Sequence, residues 1–234
     1  MKKESLNNVL LLSKNRPFVM EPISTAFVVV DMQYATACRS AGLGRFVKEA
    51  GQAKMDSMEY RFGRIEKVAI PNIQKLLDFF RKHKLRVIYL TNGSAMSDYS
   101  DLLPYRRAFH MQWNNTRGNR EHEILDDIRP LPGECVINKT TSSAFNSTNI
   151  DAILSKAMGI EYLLFAGVST DLCVENTARA AVDLGYKCTM VEDCCASAVE
   201  EYHNAALKHF RDYFGRVETT QAVIEELSSA PQCV

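Results

Sequence analysis

Glu161-Tyr-Leu-Leu-Phe-Ala-Gly-Val-Ser-Thr-Asp-Leu-Cys173-Val-Glu-Asn-Thr-Ala-Arg179 decides the fold of this chain. Tyr162 to Ala166 is an unbroken apolar run of strand length, the pattern of a strand buried on both faces. Gly167 has the backbone freedom for a sharp turn. Asp171 then stands as a candidate cap for a helix that starts near Leu172 and stops at Gly185. Cys173 falls in the first turn of that helix. Unpaired backbone N–H groups and the positive end of the helix dipole favour a thiolate there near neutral pH. The competing reading is a buried free cysteine that fills core space.

Four further β-rich runs, Ala26–Val30, Arg86–Leu90, Cys135–Ile137 and Lys187–Val191, alternate with helical patterns. Ile73, Leu76, Leu77 and Phe80 recur at spacings of three and four between Pro71 and His83. A helix from Ile150 to Met158 has Asn149 as its cap and Gly159 as its stop. Another opens with the capping box Ser197-x-x-Glu200 and runs to about Tyr213. Such alternation predicts an α/β fold: a three-layer, Rossmann-like parallel sheet with helices on both faces. Residues 1–234 read as a single domain with its core over about 25–227. The one irregular stretch, 35–66, holds Gly42, Gly44, Gly51 and Gly63 and reads as a lid or an oligomer contact.

Lysine plus arginine balance aspartate plus glutamate at 28 each, so nothing suggests a nucleic-acid footprint. The local run Arg81-Lys-His-Lys-Leu-Arg86 reads as the solvated end of a helix. Lys2 and Lys3 precede only the short apolar run Val9–Leu12, too short for a signal sequence or a membrane span. The cysteines, Cys38, Cys135, Cys173, Cys188, Cys194, Cys195 and Cys233, show no paired metal-type spacing. Their odd number fits reduced thiols, and the expected location is the cytoplasm. The neighbours Cys194 and Cys195 read as core packing, because adjacent cysteines form only strained bridges.

Ligands of open parallel sheets bind outside the carboxyl ends of the strands, so the residues at those ends are the candidates for chemistry. The first strand ends in Asp31, followed by Met32-Gln33-Tyr34. The second ends in Thr91-Asn92-Gly93, the third in Asn138-Lys139-Thr140, and the fourth leads to Cys173. An acid, an amide, a base and a thiol thus share one rim. Each has a plain alternative: Asp31 as a local cap, Lys139 as an exposed edge lysine. Glu192-Asp193, after the fifth strand, reads as loop closure.

On these residues the chain resembles the isochorismatase-like cysteine hydrolases, a family of nicotinamidases, N-carbamoylsarcosine amidase, biuret hydrolases and ureidoacrylate amidohydrolases. The marks are Val-Val-Val-Asp31-Met-Gln, then Asn138-Lys139 before Ser143-Ala-Phe145, then Gly167-Val-Ser-Thr-Asp-Leu-Cys173-Val. The resemblance covers about Thr25 to Leu227. It implies a catalytic triad of Asp31, Lys139 and Cys173. It also implies a cis peptide at Val168–Ser169, an oxyanion hole from the N–H groups of Ser169 and Cys173, and a homodimer or homotetramer.

In that chemistry Asp31 takes the thiol proton, the thiolate attacks a carbonyl, and water releases the thioester. No cofactor is needed, and no histidine. His203 and His209 read as packing or surface residues, and His110 lies in a loop that can reach the site. Nicotinamidases follow the second strand with an aspartate and two histidines that bind metal. Thr91-Asn92-Gly93-Ser94 has none of these, so no metal is expected. Asn-Gly at this point is similar to the ureidoacrylate and related ureide enzymes. The expected substrate is a small linear amide or ureide held by Gln33, Asn92, Arg106, Arg107 and Phe145. The arginine pair would grip a carboxylate, or else be solvated loop. Relatives that cleave a vinyl ether lack the cysteine, so Cys173 speaks against that reaction. Two other classes stand beside the amidohydrolase: a non-catalytic binding or scaffold protein that keeps the fold, and a thiol redox protein. The second requires a resolving cysteine that the sequence does not offer.

Overall fold

The computed structural model describes residues 18–230; Lys2, Lys3, the Val9–Leu12 run and Cys233 lie outside the described residues. Six strands, β1 (Thr25–Val30), β2 (Arg86–Asn92), β3 (Cys135–Lys139), β4 (Tyr162–Val168), β5 (Lys187–Ala196) and β6 (Arg216–Glu218), form one sheet in the order β3-β2-β1-β4-β5-β6. Every pairing is parallel. The five expected strands are present. The sixth, β6, was not expected, because a three-residue strand carries too little alternation to be read.

The strands' own alternation builds the two outer layers. Phe27 and Val29 of β1 and Leu164, Ala166 and Val168 of β4 point to one side. They meet Ile73, Leu76, Leu77 and Phe80 together with Val223 and Leu227. Ala26, Val28, Val30, Leu163 and Phe165 point to the other, against Leu154, Val174, Ala178, Ala181, Leu207 and Phe210. Burial on both faces explains why these strands read as continuous apolar runs.

The stretch 35–66 is helical, not irregular. It forms α1 (Tyr34–Ala37), α2 (Gly42–Glu49), α3 (Gln52–Asp56) and α4 (Glu59–Arg64). A π turn at Ile65–Ala69 joins α4 to α5 (Ile70–Lys82), just ahead of Pro71, which has no N–H to give to a helix. After β2 comes α6 (Pro104–Gln112). After β4, a π turn at Thr170–Val174 leads into α7 (Glu175–Asp183), then α8 (Glu200–Tyr213) and α9 (Thr220–Ser229).

Three expected caps are different. Ser169, not Asp171, occupies the N-cap before Thr170, and Asp171 instead accepts a hydrogen bond from Ser197. That bond removes Ser197 from the expected capping box, and Val199 stands at the N-cap of α8. Thr148, not Asn149, uses its hydroxyl to accept the Ile150 N–H. Asp171 and Ser197 lie 26 positions apart and take up each other's side chains, which leaves neither to cap a helix.

The winding reverses between β1 and β4. From β1 the chain proceeds to β2 and β3 on one side, then returns to β4 on the other. The crevice at such a switch point is where open α/β sheets bind ligands. Gly167 fixes its floor: its φ is +113, and a Cβ there would lie 2.0 Å from the Val30 carbonyl oxygen. Only glycine lets β4 pass β1 this closely.

Candidate active site

Asp31 leaves β1 at φ +53, a left-handed conformation that few side chains tolerate and that aspartate adopts more readily than most. Its N–H donates to Leu90 O at 2.8 Å, and its carbonyl accepts from Thr36 Oγ1. Lys139 ends β3 and stands in register with Asn92 of β2. Lys139 and Asp31 are both buried, and Nζ lies 2.8 Å from Asp31 Oδ2. Nζ also donates to Thr141 O at 3.2 Å. The alternative reading of an exposed edge lysine therefore fails: the carboxylate compensates a fully enclosed ammonium.

Cys173 lies within the π turn that follows β4, and Asn92 Nδ2 approaches its sulfur at 3.9 Å. Asp31 lines the same cavity as Cys173, and its Oδ1 has no hydrogen-bond partner. Burial is the main force on this thiol and pushes it up to about 11; Lys139 pulls it down and Asp31 pushes it up. A thiolate poised by the helix start was expected. Desolvation works against that expectation here and favours the protonated sulfur. The peptide Val168–Ser169 is cis.

Asp31, Asn92 and Cys173 open onto a cavity of about 430 Å³. Asp31, Asn92, Ser169 and Cys173 line its floor, and Arg106, His110, Tyr105, Phe109 and Trp113 form a wall. Leu43 and Met58, from the stretch 35–66, complete it. A second cavity, of about 410 Å³, lies at the outer side of the β2 tip and contains Thr91, His122 and Asn138, but none of Asp31, Lys139 or Cys173.

Several expected binding residues face elsewhere. Gln33 is fully buried: Nε2 donates to His122 O at 2.7 Å and Oε1 accepts the Asn92 N–H at 2.8 Å. It holds Asn92 instead of facing the cavity. Asn115 Nδ2 grips the Asn92 carbonyl from the other side at 2.6 Å. Arg107 donates to the carbonyls of Tyr99 and Ser100 and braces that loop. Phe145 packs against Tyr186 with ring centroids 5.8 Å apart. Asn92 and Arg106 do line the cavity. A strand-end position can be read from sequence; the direction of a loop side chain cannot.

Arg61 is the principal residue missed. It comes from the stretch that read as irregular, is buried, and donates to Ser169 Oγ and the Thr36 carbonyl, both at 2.7 Å. Burial lowers it to about 10, which still leaves a cation at neutral pH. His110 is also buried in the cavity wall. Burial, then Arg106 and Lys139, hold it down to about 4, so its imidazole is neutral. His203 pairs its Nδ1 with Thr170 Oγ1 at 2.8 Å, a packing role, and His209 is exposed beside Glu175.

The described cysteines are all free, and Cys194 and Cys195 contact Thr220 and the Phe165 carbonyl, in line with simple packing. Among the described residues no cluster of three or more His, Cys, Asp or Glu side chains is arranged to hold a metal ion, and no helix is long and apolar enough to cross a membrane.

Unpartnered polar atoms gather at this cavity. Among the described residues, eight buried side-chain atoms have no hydrogen-bond partner, and six of them belong to Asp31, Arg61, Asn92, Arg106, His110 and Trp113. All six residues line the cavity. Buried polar groups are normally paired, so such a concentration marks a place for a polar ligand.

Comparison with known proteins gives the family and the fold. Residues 25–222 match the isochorismatase domain. The ureidoacrylate amidohydrolase RutB of Rhizobium rhizogenes is 30% identical over 97% of this chain and 93% of that protein. The protein of the same name from Caulobacter segnis is 31% identical over 91% and 89%. Among solved structures, a cysteine hydrolase from Pseudomonas syringae superposes with a TM-score of 0.75 at 26% identity, covering 93% of this chain and all of that one. N-carbamoylsarcosine amidase from Thermoplasma acidophilum gives a TM-score of 0.60 at 25% identity, covering 86% and 97%. The chain belongs to the isochorismatase family and has its parallel-sheet hydrolase fold.

Proposed function

We propose that this hydrolase of C–N bonds works through Cys173, with Asp31 as its base and Lys139 as the group that fixes Asp31, on a small amide or ureide. The observation that carries this reading is the division of the Asp31 carboxylate. Oδ2 is held by Lys139 at 2.8 Å, whereas Oδ1 has no partner, and Cys173 lines the same cavity as Asp31. A carboxylate held at one oxygen and free at the other is placed to take a proton and return it.

On this reading the thiol stays protonated until the substrate displaces water. Asp31 Oδ1 then accepts its proton as sulfur bonds to the substrate carbonyl carbon. Negative charge develops on the carbonyl oxygen and is met by the backbone N–H groups of Ser169 and Cys173; one such donor contributes about 3 kcal/mol in comparable sites. The C–N bond breaks, protonated Asp31 gives its proton to the departing nitrogen, and ammonia or an amine leaves. Water then attacks the thioester, Asp31 takes a proton from it, and the thiol re-forms on release of the acid.

Asn92 supports a ureide substrate. Its Oδ1 is buried without a partner, and its position is clamped from both sides by Gln33 and Asn115. An N–H of a carbamoyl group satisfies such an acceptor. Arg106, bound to Ser142 at 3.0 Å with its Nε unpartnered, offers a donor for a substrate carboxylate. The relatives named for ureidoacrylate hydrolysis make that class the first to test.

The test is ammonia release from a panel of ureides and primary amides by wild-type and Cys173→Ala proteins. Turnover that disappears in the variant, with unchanged circular dichroism, supports the reading. Near-normal rates in the variant would end it and favour a fold kept for binding alone.

A further inference from the structure

Helix α6 turns one face to the cavity, and that face is divided in two. Tyr105, Phe109 and Trp113 recur every four residues, and Arg106 and His110 run beside them. Side chains four apart stack along a helix surface, so each set forms a continuous row. The polar row lies on the inner side, where His110 is 2% exposed. The aromatic row lies toward solvent: Tyr105 is 65% and Phe109 53% exposed, and Phe109 and Trp113 lie 5.9 Å apart at 32°. Leu43, Met58 and Leu172 line the same cavity. A polar floor with a buried thiol thus continues into an apolar wall open to water.

The cavity volume, about 430 Å³, lies in the range that accepts drug-sized ligands and is generous for a short linear ureide. A substrate with polar ends only would leave the aromatic row wet. One carrying an apolar group would cover it and gain from the area removed from water. Resting on the assignment of Cys173 as nucleophile, we propose that the substrate is amphipathic: its carbamoyl or amide end lies beneath Arg106 and His110, and an aryl or branched-alkyl substituent packs against Tyr105, Phe109 and Trp113. The occupant of the aromatic row is therefore the substrate itself, because the row is continuous with the cavity that holds the sulfur.

N-carbamoylglycine and N-carbamoylphenylalanine share the carbamoyl group and the carboxylate and differ by a benzyl group. The wild-type protein should favour the phenylalanine compound by about tenfold or more in kcat/KM, and Cys173→Ala should show the same preference in calorimetric dissociation constants. In Phe109→Ala and Tyr105→Ala the preference should fall below about threefold, and Phe109→Leu should keep most of it. Equal use of the two compounds, or preference for the glycine one, overturns the proposal. So does a Phe109→Ala protein that keeps the preference but changes oligomeric state, since a second copy of the chain would then cover the row. A binding preference in Cys173→Ala without turnover by the wild type would leave this apolar subsite standing and remove the nucleophile assignment, so the two failures are separable.

Discussion

Replacing Asp31 with Asn should make Cys173 more reactive toward alkylation while abolishing turnover. In the wild type the thiol is pushed up to about 11, and Asp31 is one of the groups that push it. At pH 7.5 such a sulfur is about 0.03% thiolate, against about 10% for an unperturbed cysteine. The substitution removes a neighbouring anion. It also exposes the sulfur to a Lys139 ammonium that Asp31 had neutralised at 2.8 Å. Both changes favour the thiolate. A unit charge about 4 Å away is worth about 4 kcal/mol at an effective dielectric of about 20, so the labelling midpoint should fall by roughly one to three pH units.

The assay is the rate of methanethiosulfonate labelling at Cys173, mapped by mass spectrometry from pH 6 to pH 10. The logarithm of the wild-type rate should climb with unit slope and no plateau, whereas the Asp31→Asn profile should bend over within the range. The shape of the profile, unlike its height, is independent of how easily reagent enters. Lys139→Met should do the opposite, delaying the rise, because it removes the cation that lowers the thiol. An Asp31→Asn profile identical to wild type, in protein with native near-ultraviolet dichroism, would refute the idea that this carboxylate governs the sulfur.

Three other outcomes follow from the geometry. Gln33→Leu should cost about 1–3 kcal/mol in urea unfolding by leaving the Asn92 N–H and the His122 carbonyl unpaired, and should lower kcat where Asn92 contacts substrate. Unchanged stability and kinetics would show that Asn92 holds its place without that clamp. Gly167→Ala should prevent accumulation of folded protein, since the added carbon meets the Val30 carbonyl at 2.0 Å; a soluble variant with a normal melting temperature would refute the close approach. Acid should destabilise the fold well before its carboxylates titrate. His110, His122 and His203 are each held down to about 4 by burial, whereas an unfolded histidine titrates near 6.5. Between those values the unfolded chain binds up to three more protons, so stability falls as pH falls through that window. Urea midpoints at pH 7 and pH 5 measure it, and equal midpoints would show that these imidazoles are free to charge in the folded state.

The strand tips were legible because period and punctuation are local. Each apolar run ends where a polar residue follows, so Asp31, Asn92, Lys139 and Cys173 could be put on one rim from spacing alone. What the spacing did not hold was direction and competition. Gln33, Arg107 and Phe145 stand near the rim in sequence, yet their side chains are committed to Asn92, to the Tyr99–Leu102 loop and to Tyr186. Arg61 was invisible for the opposite reason. Its partners, Thr36 and Ser169, lie 25 and 108 positions away, and only folding reveals that it reaches the cavity. The push of burial on Cys173 was equally hidden, because a helix start can be read from sequence and desolvation cannot.

The ion pair between Asp31 and Lys139 joins residues 108 positions apart, and the sulfur arrives from a third segment on the far side of the winding reversal. On the proposed assignment, a fragment that lacks any part of the span from Asp31 to Cys173 has no reactive centre. On that assignment competence waits until both halves of the sheet have docked, so a nascent chain that has not yet placed β4 against β1 is silent toward the metabolites it meets.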